Sequence, residues 1–129
     1  MKVAVIDDSR PFRDSLARLL ASVRGVDVVG YAEDVESACE LIDRTEPDVV
    51  LLDVDLRGGE RGIDLLHRVA RDHPQTQVVG LSGRDWQALR PVYLQAGAAA
   101  CFDKATEFEQ ARDWIAARVT SHTNDRHGE

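Results

Sequence analysis

The chain has 129 residues, 43% of them hydrophobic and 30% charged, with a formal net charge of −7. That is the length of one domain with enough apolar residues for a core, and the composition excludes disorder as its general state. The negative balance opposes direct binding to nucleic acid or an anionic membrane, and no apolar run reaches membrane-spanning length.

The first apolar run, Val3-Ala4-Val5-Ile6, is stopped by Asp7-Asp8. Charge arrives too early for a signal peptide, so a cytoplasmic protein is expected. Ser9 is placed to cap a helix whose first turn tolerates Pro11, and Phe12, Leu16, Leu19, Leu20 and Val23 recur at helical spacing. Gly25 ends that helix, and Val26 to Tyr31 reads as a second strand. Val35, Ala38, Leu41 and Ile42 mark a second helix, closed before Pro47.

Val49-Val50-Leu51-Leu52 follows, with the pattern of a central parallel strand buried on both faces, and it stops at Asp53. The glycine-rich loop from Arg57 to Gly62 cannot be regular structure. Ile63, Leu66, Val69 and Ala70 make a third helix, and Gln77 to Leu81 a fourth strand that stops at Ser82-Gly83. Asp85 to Ala96 carries Trp86, Leu89 and Tyr93 on one face, but Pro91 lies inside it, so this helix is expected to be kinked, short or late in starting. Trp86 and Tyr93 are candidates for a binding surface, with core packing expected of at least one. Ala99 to Phe102 reads as a short fifth strand ending at Asp103-Lys104. Phe108, Ala111, Ile115 and Val119 form the final helix, with Trp114 expected to face out and a polar tail fraying over 120–129. Cys39 and Cys101 lack metal-ligand spacing and read as buried free thiols.

Strands alternating with helices at short spacing predict an α/β fold, a doubly wound (βα)5 flavodoxin-like domain. Its parallel five-stranded sheet is expected in the order 2-1-3-4-5, because crossovers are right-handed. That order sets the first and third strands side by side, so Asp7, Asp8 and Asp53 share one crevice at the strands' carboxyl ends. Three such carboxylates repel, which pushes at least one towards its neutral form unless a divalent cation sits among them. Mg²⁺ suits carboxylate, water and phosphate oxygens. The Ser82 hydroxyl and Lys104 ammonium arrive at the same mouth, and the set fits a phosphoryl group carried on a carboxylate. Taken singly, an Asp-Asp pair is often a cap, a serine after a strand a turn former and a lysine there solvated. Their coincidence at four strand ends favours chemistry.

Val5-Ile6-Asp7-Asp8, Leu51-Leu52-Asp53, Gly80-Leu81-Ser82-Gly83 and Gly97-Ala98 through Lys104 together make the sequence resemble the receiver domain of bacterial two-component response regulators. The likeness runs from Lys2 to about Val119, which sets a receiver over 1–119 and a tail over 120–129. It implies that Asp53 is the phosphoacceptor, served by a histidine kinase or a histidine phosphotransfer protein. It implies that Asp8 binds Mg²⁺ directly, Asp7 through water, and that Asp53 and the backbone carbonyl of Asp55 complete the set. Ser82 would bond the phosphoryl group and Lys104 pair with it. The likeness gives a signalling module rather than an enzyme, monomeric or weakly dimeric, acting on a protein target and without direct contact to nucleic acid or membrane.

The sequence departs from the family pattern at specific places. Arg57 stands where a proline is usual, the loop after Asp53 is one residue longer, and Ala105 replaces the proline after the lysine. The aromatic that reports phosphorylation usually lies three residues before the lysine, where this chain has Cys101; Phe102 is one residue off, and in a strand that faces the other way. Ser82, Cys101 and Phe102 are the candidate switch residues, but the usual hydroxyl-to-aromatic relay is less well supported than the phosphorylation chemistry, and output is expected from movement around Ser82 to Ala96. Asp55 and Arg84 hold positions that tune phosphoryl lifetime in the family.

Other readings compete. Asp53-Val54-Asp55 also resembles the nucleophile motif of haloacid-dehalogenase-type phosphatases, but that family sets the motif near the start of the chain and needs a later acidic pair, absent after Asp85. A module that keeps the fold without phosphorylation has no reason to keep the acid cluster. A receiver from a longer DNA-binding regulator is the remaining alternative. The tail from Thr120 has no helix-turn-helix pattern, so a stand-alone regulator is expected.

Overall fold

The computed structural model describes residues 1–56, 62–83 and 86–127, without the side chains of 86 and 122–127. In chain order the elements are β1 (Lys2–Ile6), α1 (Arg10–Ala21), β2 (Asp27–Ala32), α2 (Val35–Thr45), β3 (Val49–Asp53), α3 (Gly62–Asp72), β4 (Gln77–Ser82), α4 (Trp86–Gln95), β5 (Ala100–Asp103) and α5 (Phe108–His127). The strands pair in parallel as one five-stranded sheet in the order β2-β1-β3-β4-β5. The doubly wound flavodoxin-like fold read from the sequence is the fold observed.

Strand alternation divides the core into two layers. Ala4, Ile6, Val50 and Leu52 point to one face, where α2, α3 and α4 cover them with Leu41, Ile42, Leu65, Leu66 and Tyr93. Val3, Val5, Val49 and Leu51 point to the other, under Leu16 and Leu20 of α1 and Ala111 and Ile115 of α5. The central strands thus have no polar side, which is why they read as unbroken aliphatic runs. The edge strand β2 gives way to its helix: a Cβ on Gly30 would come within 2.7 Å of Leu41 Cδ1, so the missing side chain lets α2 seat closely.

Helix ends follow local chemistry. The Ser9 hydroxyl caps α1 by accepting from Phe12 N, and the Asp34 carboxylate caps α2 by accepting from Ser37 N at 2.8 Å. Gly97, at φ +117°, turns the chain after α4. α4 is ten residues long with Pro91 inside it, so it is short, as expected, but not late in starting. Tyr93 is buried among the described side chains of α4, which settles that residue as core.

Three details differ from the sequence reading. In α3 Leu65 joins the core while Ala70 is exposed. Trp114 is half-buried against the α1/α5 layer, with the Arg118 guanidinium 4.7 Å over its ring, rather than facing out. Finally, α5 runs on to His127, past the residue where the polar tail was expected to begin. Neither glycine nor proline interrupts 120–127, so nothing local stops the helix, although Val119 is the last described side chain to meet the core. The glycine-rich stretch 57–61, the Arg57 and Arg84 positions and the Trp86 side chain lie outside the described residues. Cys39 and Cys101 are both buried, and neither is in a disulfide.

Truncating the core and removing a cap should cost different amounts. Leu52 is fully buried on β3, so Leu52→Ala is expected to lose about 2–5 kcal/mol, while Asp34→Ala, which removes only a surface cap, loses clearly less. Urea unfolding of both variants checks the order.

Candidate functional site

The β1–β3 register ends at Ile6 opposite Leu52. The next residue on each strand is an aspartate, so the parallel ladder itself delivers Asp7 and Asp53 side by side. Asp7 is 1% exposed and Asp53 3%; Asp8 is half-buried, and the three offer carboxylate oxygens within 4.8 Å of one another. The sequence-predicted acid cluster is therefore assembled as one group of oxygen donors.

Each carboxylate is held from a specific side. Asp7 N donates to Ala32 O, its Oδ1 accepts from Ser9 N at 2.8 Å, and its Oδ2 accepts from Lys104 Nζ at 2.8 Å. Asp53 Oδ1 accepts from Asp55 N at 2.9 Å, and its Oδ2 lies 3.3 Å from Lys104 Nζ. The Asp55 carboxylate in turn accepts from Gly83 N at 3.2 Å, tying the loop after β3 to the loop after β4.

Lys104 is presented by a tight turn after β5. Its N–H donates to Ser82 O, and the Asp103 carboxylate accepts from Ala105 N at 2.7 Å and Thr106 N at 3.1 Å. The alanine at 105, where the family keeps a proline, supplies one of those donors. The ammonium also lies 4.3 Å from the centre of the Phe12 ring, which is itself 5.5 Å from the ring of Phe108. Periodicity marked both phenylalanines only as apolar helix positions, and no local sequence signal pairs either with Lys104.

Burial dominates the electrostatics of Asp53. It pushes the carboxyl from its ordinary 3.8 to about 6, with the Asp7 charge adding to the effect and the Asp55 N–H and Lys104 ammonium opposing it. For Lys104 burial works against the charge, but the hydrogen bond to Asp7 and the charges of Asp53 and Asp7 outweigh it and hold the ammonium above the usual lysine range. The site is thus a set of oxygen donors with the Lys104 ammonium as a built-in cation, which fits a hard divalent ion such as Mg²⁺ and an incoming phosphoryl group.

Ser82 ends β4, is 2% exposed and sits one residue beyond the Leu81 that pairs with Asp53. Below it, Gly80, Tyr93 and Cys101 line a narrow crevice. Cys101 faces the α2/α3/α4 layer, and burial pushes its thiol up, so it is a poor nucleophile. Phe102 faces the α1/α5 layer instead, on the side of the sheet away from Cys101 and Tyr93. A hollow of about 800 Å³ lies near Lys2, Asp48 and His73. That is the amino end of the strands, the wrong end for chemistry in such a sheet. No helix of the described residues is long and apolar enough to cross a membrane.

Several known proteins resemble this chain. The sequence model of the response regulator receiver domain matches residues 3–116. Response regulator GacA of Pseudomonas syringae pv. syringae is 35% identical over 104 residues, 81% of this chain and 48% of that protein. A protein-glutamate methylesterase/protein-glutamine glutaminase of Burkholderia thailandensis is 39% identical over 84 residues, 65% of this chain and 23% of that protein. The chain spans about half the length of the GacA relatives it matches. The signal receiver domain of NarL from Mycobacterium tuberculosis has the same fold at a TM-score of 0.82 and 32% identity, covering 92% of this chain and 95% of that one.

The raised Asp53 value sets a pH signature. The folded state binds that proton more tightly than the unfolded state, so stability falls as pH rises from the ordinary 3.8 through about 6. In magnesium-free buffer, Asp53→Asn is expected to be more stable than the parent at pH 7, by about 1–3 kcal/mol. The difference should close as pH falls towards 4. Urea midpoints across that range check it, and a gap that ignores pH would contradict the assignment.

Proposed function

The chain belongs to the response regulator receiver family, and from that premise we propose that Asp53 is the phosphoacceptor of a two-component signalling switch. The observation that carries the reading is the Asp53 carboxylate set 3.3 Å from Lys104 Nζ, within a cluster that also contains Asp7 and Asp8. In this reading a carboxylate oxygen of Asp53 attacks the phosphorus of a phosphohistidine. The phosphorus–nitrogen bond breaks, a phosphorus–oxygen bond forms, and the imidazole leaves with the electron pair and takes up a proton. With a carboxyl value of about 6, most of Asp53 is ionised at neutral pH and ready to attack.

The remaining groups divide the charge of the transferred phosphoryl. Lys104 pairs with one of its oxygens and the Ser82 hydroxyl donates to another. Asp7, Asp8, Asp53 and the backbone carbonyl of Asp55 would hold Mg²⁺, whose positive charge favours an in-line attack on an anionic donor. The expected donor is a histidine kinase or a histidine phosphotransfer protein. The domain is a signalling module, and any enzyme activity of methylesterase relatives belongs to those proteins. The expectation of a stand-alone regulator finds no support in the GacA relatives, which are about twice as long; they favour a second reading in which the domain governs an attached output region.

Output in this reading starts at the Ser82 end of β4 and runs through α4. Cys101 and Phe102 are poor relay candidates, since one is small and inert and the other points to the opposite layer.

Incubation with acetyl phosphate and Mg²⁺ is expected to add the mass of one phosphoryl group, and Asp53→Asn to abolish the increment; an unlabelled parent, or a labelled variant, contradicts the site. Amide shifts recorded with and without a beryllofluoride mimic are expected to move within residues 82–96. Resonances there that stay fixed would refute this route of output.

A further inference from the structure

We propose that Phe12 is a positioning residue for Lys104: the face of its ring holds the ammonium over the acid cluster, and Phe108 braces the ring from α5. This rests on the phosphoacceptor reading, in which the ammonium has to meet a transferred phosphoryl group. Lys104 Nζ lies 4.3 Å from the Phe12 ring centre, inside the range where the negative face of an aromatic ring attracts a cation. The Lys104 side chain is 18% exposed, so the contact is only partly exposed to water. Phe12 and Phe108 are 5.5 Å apart with their planes tilted by 34°, a normal packing distance for paired rings.

One short stretch of chain supplies both the ring and the nearest carboxylate. Ser9 N bonds Asp7 Oδ1, and Phe12 N bonds the Ser9 hydroxyl, so the first turn of α1 fixes the carboxylate and the ring relative to each other. Lys104 Nζ sits against both, at 2.8 Å from Asp7 Oδ2 and over the ring. A lysine stem is long and flexible, and a point charge at its end has no preferred direction of its own.

The two kinds of neighbour differ in how they respond during the reaction. Asp7 and Asp53 are the groups that a divalent ion and a phosphoryl group would engage, so their hold on the ammonium changes as the site fills. The ring neither titrates nor binds metal. It keeps the ammonium at the site while its carboxylate partners change, which limits the search Lys104 makes for a phosphoryl oxygen.

The test separates the ring from its bulk. Phe12→Leu keeps an apolar side chain without the ring face, Phe12→Met is a second ring-less variant, and Phe12→Tyr keeps the ring. With acetyl phosphate and saturating Mg²⁺, the ring-less variants are expected to label about fivefold to tenfold more slowly than the parent, and Phe12→Tyr at nearly the parent rate. Mg²⁺ affinity by calorimetry should stay within about twofold in all three, because no metal-binding carboxylate is altered. The Lys104 side-chain methylene protons should show an upfield ring-current shift in the parent and in Phe12→Tyr, lost in the ring-less variants. Ring-less variants that label as fast as the parent overturn the proposal, and so does a Phe12→Tyr variant as slow as Phe12→Leu or a Lys104 shift that survives loss of the ring. A parent that takes up no phosphoryl group overturns the phosphoacceptor reading itself, and the positioning role falls with it.

Discussion

One ammonium group makes the acid cluster compatible with a folded domain. Asp7 and Asp53 are almost wholly withdrawn from water, and burial penalises charge on each. Lys104 reaches past the end of β4 to bond Asp7 and face Asp53, and that charge offsets part of the penalty. The compensation is incomplete, since Asp53 still sits at about 6. Such a site is poised: it holds its carboxylates together without neutralising them, an arrangement compatible with a divalent ion among the three.

The sheet is what makes this economical in chain length. Parallel strands all end at the same edge, so residues one step beyond β1 and β5, and at the ends of β3 and β4, converge without any long loop. The two apolar layers leave the central strands no polar face, so charged side chains of β1 and β3 are confined to the strand ends. The same alternation sends Cys101 and Phe102 to opposite layers. Where an aromatic from β5 would stand beside Ser82 in the family pattern, this chain has a buried thiol, with the Tyr93 ring of α4 packed near it. Among the described side chains of α4, which carries Pro91 inside it, Tyr93 is buried and Leu89 partly buried against the same layer.

The turn after β5 shows how a departure from family sequence is absorbed. Without a proline at 105 the backbone N–H is free to bond, and the Asp103 carboxylate takes both that donor and the next. Asp103 N in turn donates to Glu107 Oε1. The turn is held by hydrogen bonds in place of a ring constraint, and Lys104 still points into the site.

The sequence alone determined the order of elements, the parallel sheet and the meeting of Asp7, Asp8 and Asp53, because each follows from periodicity, chain stops and the handedness of crossovers. It also separated Cys101 from Phe102, since strand geometry alternates without exception over so short a run. Only the tertiary structure decided what surrounds Lys104: the Phe12 ring comes from a helix 92 positions earlier in the chain, and nothing local to either residue encodes that contact. The half-burial of Trp114 and the run of α5 to His127 were hidden for a related reason. Polar residues neither forbid a helix nor reveal its end, and a large ring on a mixed surface is covered only if a distant element happens to lie beside it.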